Sequence, residues 1–198
     1  TKVNPSSPQL GHYAPDTPDK YYVGHQYPKS YARNGAKKGK TREDSFALAA
    51  AASVDKLTTR DRTRPTGQNY GQFLKWRRQH WNSAISQDRE ASQLALQTHE
   101  LAHAIHHRGS WKPAYSVKVN GKVYKGAELQ QELTRGTSLY GRSDVGNFAQ
   151  FRPRAETFAE NYVLYVGAGA KYKKEYPVSY EWTRKTIEMS LNSKYNTF

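Results

Sequence analysis

The stretch Thr98-His99-Glu100-Leu101-Ala102-His103 restricts this chain more than any other, because it reads H-E-x-x-H inside a run with helical apolar spacing. On a helix, residues four apart stand one turn above each other on one face, so the imidazoles of His99 and His103 reach a single metal ion together. Glu100 accompanies them. A carboxylate one residue after the first histidine lies beside the metal's open position, where it can take a proton from water and pass it to a leaving amine. The pattern predicts a helix equipped for metal-assisted hydrolysis; the plainer alternative is an amphipathic helix whose histidines pack at the core edge. Across Ser86 to His107 the expected apolar stripe is Leu94, Leu101, Ala102 and Ile105, and Gly109 is the expected stop.

Such a site needs a third protein ligand. The metzincin arrangement, with glycine three and histidine six residues after the second histidine, is excluded because those positions hold His106 and Gly109. A carboxylate on a later helix is the remaining route, and Glu128, Glu132, Glu156 and Glu160 are the candidates. Both pairs are spaced four apart, but Arg154 to Tyr162 embeds its pair in the more apolar run, as a buried site requires, so Glu156 is the expected ligand. Glu160, one turn further along the same face, either accepts the second ring N–H of His99 or His103 or is a solvated helix charge.

At these residues the chain resembles the gluzincin branch of the zincin metallopeptidases, through the H-E-x-x-H run and the E-x-F-A-E type segment Glu156-Thr157-Phe158-Ala159-Glu160. The resemblance implies one catalytic Zn2+ held by His99, His103 and Glu156, with Glu100 as general base and then acid, and a protein or peptide substrate. It also implies a zincin-like fold, which together with a hairpin and an extended N-terminal arm read from the residues themselves gives an expected α+β chain, mainly helical, with a small antiparallel hairpin or sheet. Ser138-Leu139-Tyr140-Gly141 is similar to the S-x-Y-(A/G) element of several of these families, which implies that Tyr140 stabilises the oxyanion. Residues Ser86 to Asn192 are further similar to metallopeptidase domains attached to bacteriophage head-morphogenesis proteins, and more loosely to lethal-factor-type toxin peptidases. The first likeness implies a virion or host-cytoplasm setting, the second a secreted one.

Charge points to a second class of function. Thirty-one basic against seventeen acidic residues give a net charge of +14 and a pI near 9.8, which favours an anionic partner such as nucleic acid, a membrane surface or an acidic protein. The alternative reading is a basic structural component of a virion or nucleoprotein, keeping a zincin fold for assembly with little proteolysis. With no cysteine, disulfides and thiolate ligands are excluded. The longest nearly apolar run, Phe46 to Val54, falls short of the roughly 20 residues a membrane span needs, and Thr1 to Pro5 lacks the apolar core of a secretory signal.

The expected organisation is an extended basic arm over residues 1–40 followed by one domain over 41–198. The arm is rich in proline and tyrosine and poor in aliphatics, and its end at Tyr31 to Lys40 suits a solvated linker or a phosphate-binding tail equally. Thr41-Arg42-Glu43-Asp44 has the form of a capping box, followed by a stripe of Phe46, Ala50, Val54 and Leu57. Thr58 to Gln68 reads as a basic loop, and the aromatics and cations of Tyr70 to Trp81 suit helical packing better than base stacking. Asn120-Gly121 between alternating runs predicts a hairpin, and Ala127 to Arg135 a short helix stopped by Gly136. Asp144 to Gln150 suits a loop near the cleft. Pro153 suits the first turn of the ligand helix, which is expected to end by Gly167, with Lys171, Lys173 and Lys174 in a flexible basic connection. A last helix, Ser179 to Leu191, is expected to dock through Trp182, Ile187 and Leu191.

Overall fold

Thr41 begins the first helix as its spacing predicts: the Asp44 backbone N–H donates to Thr41 Oγ1 at 3.0 Å, and the Thr41 N–H donates back to the Asp44 carboxylate at 3.1 Å. Two otherwise orphaned helix donors are satisfied reciprocally. The computed structural model describes residues 11–13, 21–23, 41–55, 57, 89–138, 141–142 and 155–192. Within them run β1 (Gly11–Tyr13), β2 (Tyr21–Val23), α1 (Arg42–Val54), α2 (Arg89–Arg108), β3 (Ser116–Val119), β4 (Lys122–Lys125), α3 (Gly126–Arg135), α4 (Ala155–Glu175) and α5 (Pro177–Leu191). The described protein is therefore mainly helical, with two small antiparallel ribbons. Thr58 to Gln68, Tyr70 to Trp81, Asp144 to Gln150, Pro153 and the arm apart from β1 and β2 lie outside the described residues.

In the first ribbon Gly11 faces Val23 and Tyr13 faces Tyr21, and the ribbon lies against α2. In the second, Ser116 faces Lys125 and Val119 faces Lys122. Its two-residue turn has Asn120 at φ 49° and Gly121 at φ 83°, the left-handed pair that a type I′ turn demands and that Asn-Gly supplies cheaply.

The helices bury two separate apolar clusters. One joins α1 to the first half of α2 and the middle and second half of α4, through Phe46, Ala50, Val54, Ala91, Ala95, Leu164, Ala168 and Tyr172. The other joins the second half of α2 to the first half of α4, the β3 ribbon, α3 and α5, through Ala102, Val117, Leu129, Phe158 and Trp182. Because early residues of α2 share a cluster with late residues of α4, and the reverse, the two helices run antiparallel. Trp182 is buried, and its indole N–H donates to the Ala114 carbonyl at 2.8 Å, so α5 is tied to the loop ahead of β3 by packing and by a satisfied polar contact.

Three expectations about helix faces and ends need correction. Leu101 is 43% exposed, whereas Ala91, Ala95, Leu96 and Ala102 are buried beside His99, Glu100, His103 and His106. Hydrophobicity misplaced the buried face of α2 because polar site residues occupy much of it. Leu191 is likewise exposed, and α5 docks instead through Val178, Trp182, Thr183 and Thr186, with Ile187 partly buried. Finally, α4 does not end at Gly167: it continues to Glu175 across a kink at Gly169, where φ is 34°. Tyr172, buried on that continuation, donates its hydroxyl to the Gly136 carbonyl at 2.7 Å. Among the described residues no helix is long and apolar enough to cross a membrane.

Candidate metal centre

The antiparallel pairing of α2 and α4 brings two i, i+4 pairs face to face at the seam between the two apolar clusters. His99 and His103 stand one turn apart on α2, and Glu160 and Glu156 one turn apart on α4 in the opposite sense. His99 Nδ1 lies 2.9 Å from Glu160 Oε1. His99 Nε2 lies 3.1 Å from Glu156 Oε2 and 3.1 Å from His103 Nε2, and His103 Nε2 lies 3.6 Å from the same Glu156 oxygen.

These three distances form a nearly equilateral triangle. Ligand atoms placed about 2.0–2.2 Å from a tetrahedral zinc ion are separated by about 3.3–3.6 Å, so the two ring nitrogens and the carboxylate oxygen lie close to the face of one such tetrahedron. His99, His103 and Glu156 also form the group of described residues whose ligand atoms converge closely enough to hold one ion. The donor set, two imidazoles and a carboxylate, suits zinc and leaves a fourth position for water or substrate.

Glu160 completes the arrangement from behind. It is fully buried, accepts the Nδ1–H of His99, and accepts a second, short hydrogen bond from the Ser138 hydroxyl. The bond to Nδ1 fixes the tautomer that leaves the Nε2 lone pair aimed at the shared point, and the carboxylate raises its basicity. Ser138 is held in turn, since the Gly141 N–H donates to its hydroxyl at 3.1 Å and the Thr157 hydroxyl donates to the Gly141 carbonyl at 2.9 Å. Gly141 has to lack a side chain: a Cβ there would come within 2.3 Å of Thr137 Oγ1 and 3.1 Å of Glu160 Cβ.

Electrostatics match the geometry. Burial drives the His99 pKa down, but hydrogen bonds and charges from Glu156 and Glu160 outweigh it and hold the ring at about 10. Burial pushes Glu156 up, and the hydrogen bonds and charges of His103 and His99 more than reverse this, holding it well below the usual carboxylate range. The two carboxylates thus favour positive charge at the point where the rings and Glu156 meet.

Glu100 is buried, 3% exposed, directly after His99 on α2. Glu128 and Glu132, the other sequence candidates, pair with Lys122 and Arg135 at partly or largely exposed positions, whereas Glu156 and Glu160 meet the histidines. Tyr140 lies outside the described residues.

Sequence reasoning missed two features. Ser138 stood in the quartet quoted for Tyr140, but its bond to Glu160 had no local signal, because the partners are 22 residues apart. Beyond the end of α2, Ser110 and Trp111 adopt φ of 56° and 60°, costly for non-glycine residues, and this turn packs the indole 5.5 Å from the His106 ring and 6.3 Å from that of His103. His106, fully buried against Trp111 and Phe158, has its pKa lowered to about 3 by burial and then by the charge of His103, which keeps it neutral.

No protein-family model, curated protein or solved structure matches this chain.

Proposed function

We propose that the protein is a zinc-dependent peptidase of the gluzincin type, hydrolysing peptide bonds at the α2–α4 seam. The observation that supports this most is the convergence of His99 Nε2, His103 Nε2 and Glu156 Oε2 on one point, with Glu160 braced behind His99. Zinc bound there supplies a Lewis acid that polarises the scissile carbonyl and acidifies water toward a pKa of about 7. His99 gives up the proton it carries on zinc binding, which leaves its Nε2 free to ligate beside His103 Nε2, while Glu156 presents a carboxylate whose pKa is held well below the usual carboxylate range. Glu100 takes the proton of the attacking water and then delivers it to the departing amine, so that one carboxylate serves both halves of the reaction. The likeness of Ser86 to Asn192 to metallopeptidase domains of phage head-morphogenesis proteins favours a virion or host-cytoplasm setting, with a protein or peptide substrate.

Elemental analysis with peptide-library cleavage tests the reading. The parent chain should bind one zinc per molecule and cleave, while Glu100→Gln should keep the zinc and lose about 10²–10⁴-fold in rate. Cleavage by Glu100→Gln at the parental rate would overturn the mechanism. The net charge of +14 favours a second reading, a basic structural component with a zincin fold and little proteolysis. Failure to take up zinc, together with tight salt-sensitive DNA binding, would select it.

A further inference from the structure

At the far end of α4 from the metal centre lies a cleft of about 620 Å³ between the β3–β4 turn, the last turns of α4 and the first turn of α5. Its wall includes Lys118, Lys173, Lys174, Tyr180 and Glu181. The three lysines are exposed, and among the described residues none of them makes an ion pair. Glu181 offsets them only in part, because Arg184 engages it directly through Nε at 3.1 and 3.0 Å while Lys173 acts on it only through its charge. Lys171, one turn ahead of Glu175, is different: it is taken up by Asp55 at 2.6 Å and Glu175 at 2.9 Å. The continuation of α4 past Gly167 thus sorts its lysines, neutralising one and presenting two into a cleft where Lys118 joins them from the hairpin.

We propose that this cleft binds the phosphate backbone of nucleic acid. Three lysines without a salt bridge among the described residues, one of them, Lys173, lying over the Tyr180 ring at 5.7 Å, concentrate positive potential around one concavity, and the surrounding +14 chain adds a long-range field that draws in a polyanion. Charge density favours a nucleic-acid backbone over an acidic peptide: duplex DNA carries one negative charge per about 1.7 Å of axis, so lysines grouped in one cleft meet several phosphates at once, as point charges that do not read sequence. The site is separate from the metal centre, since the twelve steps of regular helix from Glu156 to Ala168, at about 1.5 Å each, already put about 18 Å of α4 between them ahead of the kink at Gly169. Occupancy of the cleft therefore leaves the peptide-cleaving end of the seam open and tethers the chain to nucleic acid.

Binding of a fluorescein-labelled 20-base-pair DNA duplex to the full chain, followed by anisotropy between about 50 and 200 mM salt, tests this. Each phosphate contact contributes about 0.9 to the slope of log affinity against log salt, so the Lys118→Gln/Lys173→Gln/Lys174→Gln variant should be shallower by about 2.7. At about 0.1 M salt it should bind at least tenfold more weakly. A control with equal loss of charge at exposed positions elsewhere, Arg108→Gln/Lys112→Gln/Arg135→Gln, should lose less than about one in slope. Equal losses in the two variants, an unchanged cleft variant, or no DNA binding by the parent would overturn the proposal. So would poly-L-glutamate displacing the duplex as well as unlabelled DNA of the same total charge, an outcome that assigns the cleft to an acidic protein. Because all six positions are exposed, matched melting temperatures will show that folding is not the cause.

Discussion

Glu160→Gln isolates the contribution of the carboxylate behind the proposed metal ligands. Glutamine keeps the outline of the side chain and a carbonyl oxygen to accept the His99 Nδ1–H, now 2.9 Å away, while its amide can donate to the Ser138 hydroxyl that the carboxylate accepts from. Only the charge is lost. Removing such an outer carboxylate typically weakens metal affinity about 10–100-fold, or about 1.4–2.7 kcal/mol. Full burial of Glu160 puts it toward the upper part of that range, since no water screens its charge from the ring. The effect propagates to stability. With free zinc at 100 times the parent's Kd, the parent gains about 2.7 kcal/mol from binding, whereas the variant gains about 1.4 kcal/mol after a tenfold loss and about 0.4 kcal/mol after a hundredfold loss. Competitive titration against a chromophoric zinc chelator measures the affinity, and melting with and without zinc measures the linked stabilisation. Glu128→Gln, at an exposed carboxylate paired with Lys122, is the control and should change neither. Zinc affinity of Glu160→Gln within twofold of the parent, in a chain that melts normally without metal, would refute the role given to Glu160.

Further outcomes follow from the titrating groups. Without an ion, His99 titrates at about 10 against an ordinary 6.5, so at about pH 8 its ring carries a proton that zinc has to displace. Calorimetry in buffers of different ionisation enthalpy should show about one proton released per zinc, and zero release would contradict the charged ring. For the ion-free protein, a raised His99 pKa contributes stability that is fully present below 6.5 and lost as pH rises through about 10, to be read by denaturant titration across that window. His106 runs the other way: lowered to about 3, it contributes stability above 6.5 that is lost as pH falls toward 3. Neither ring nitrogen of His106 has a hydrogen-bond partner among the described residues, so His106→Leu should be close to neutral at pH 7 and should flatten the acid limb. A loss of several kcal/mol at pH 7 would show that the ring has polar work that the packing does not reveal.

The local parts of this protein were legible without coordinates. The i, i+4 histidines and glutamates, the Thr41–Asp44 cap, the Asn120-Gly121 turn and the Gly136 stop all follow from geometry within one or two turns of chain, which residue type and spacing specify directly. Periodicity was less reliable where function intrudes. On α2 the buried face is shared by histidines and a glutamate, so counting apolar residues put Leu101 inside when it is outside. Small residues likewise suggested a flexible break at Gly167, but contacts made by Tyr172 and Lys171 with distant partners carry the helix on to Glu175.

Tertiary packing decided which carboxylate meets which imidazole. His99 and Glu160 are 61 residues apart, and nothing local sets their register. The two apolar clusters do so, one on either side of the seam, by locking α2 and α4 antiparallel at a fixed offset. The brace from Ser138 to Glu160 and the separation of Lys171 from Lys173 and Lys174 have the same origin. Sequence specifies the chemical groups and the face each occupies on its own helix; only the packed chain sets the distances between faces, because those depend on how the side chains of both helices fill one volume.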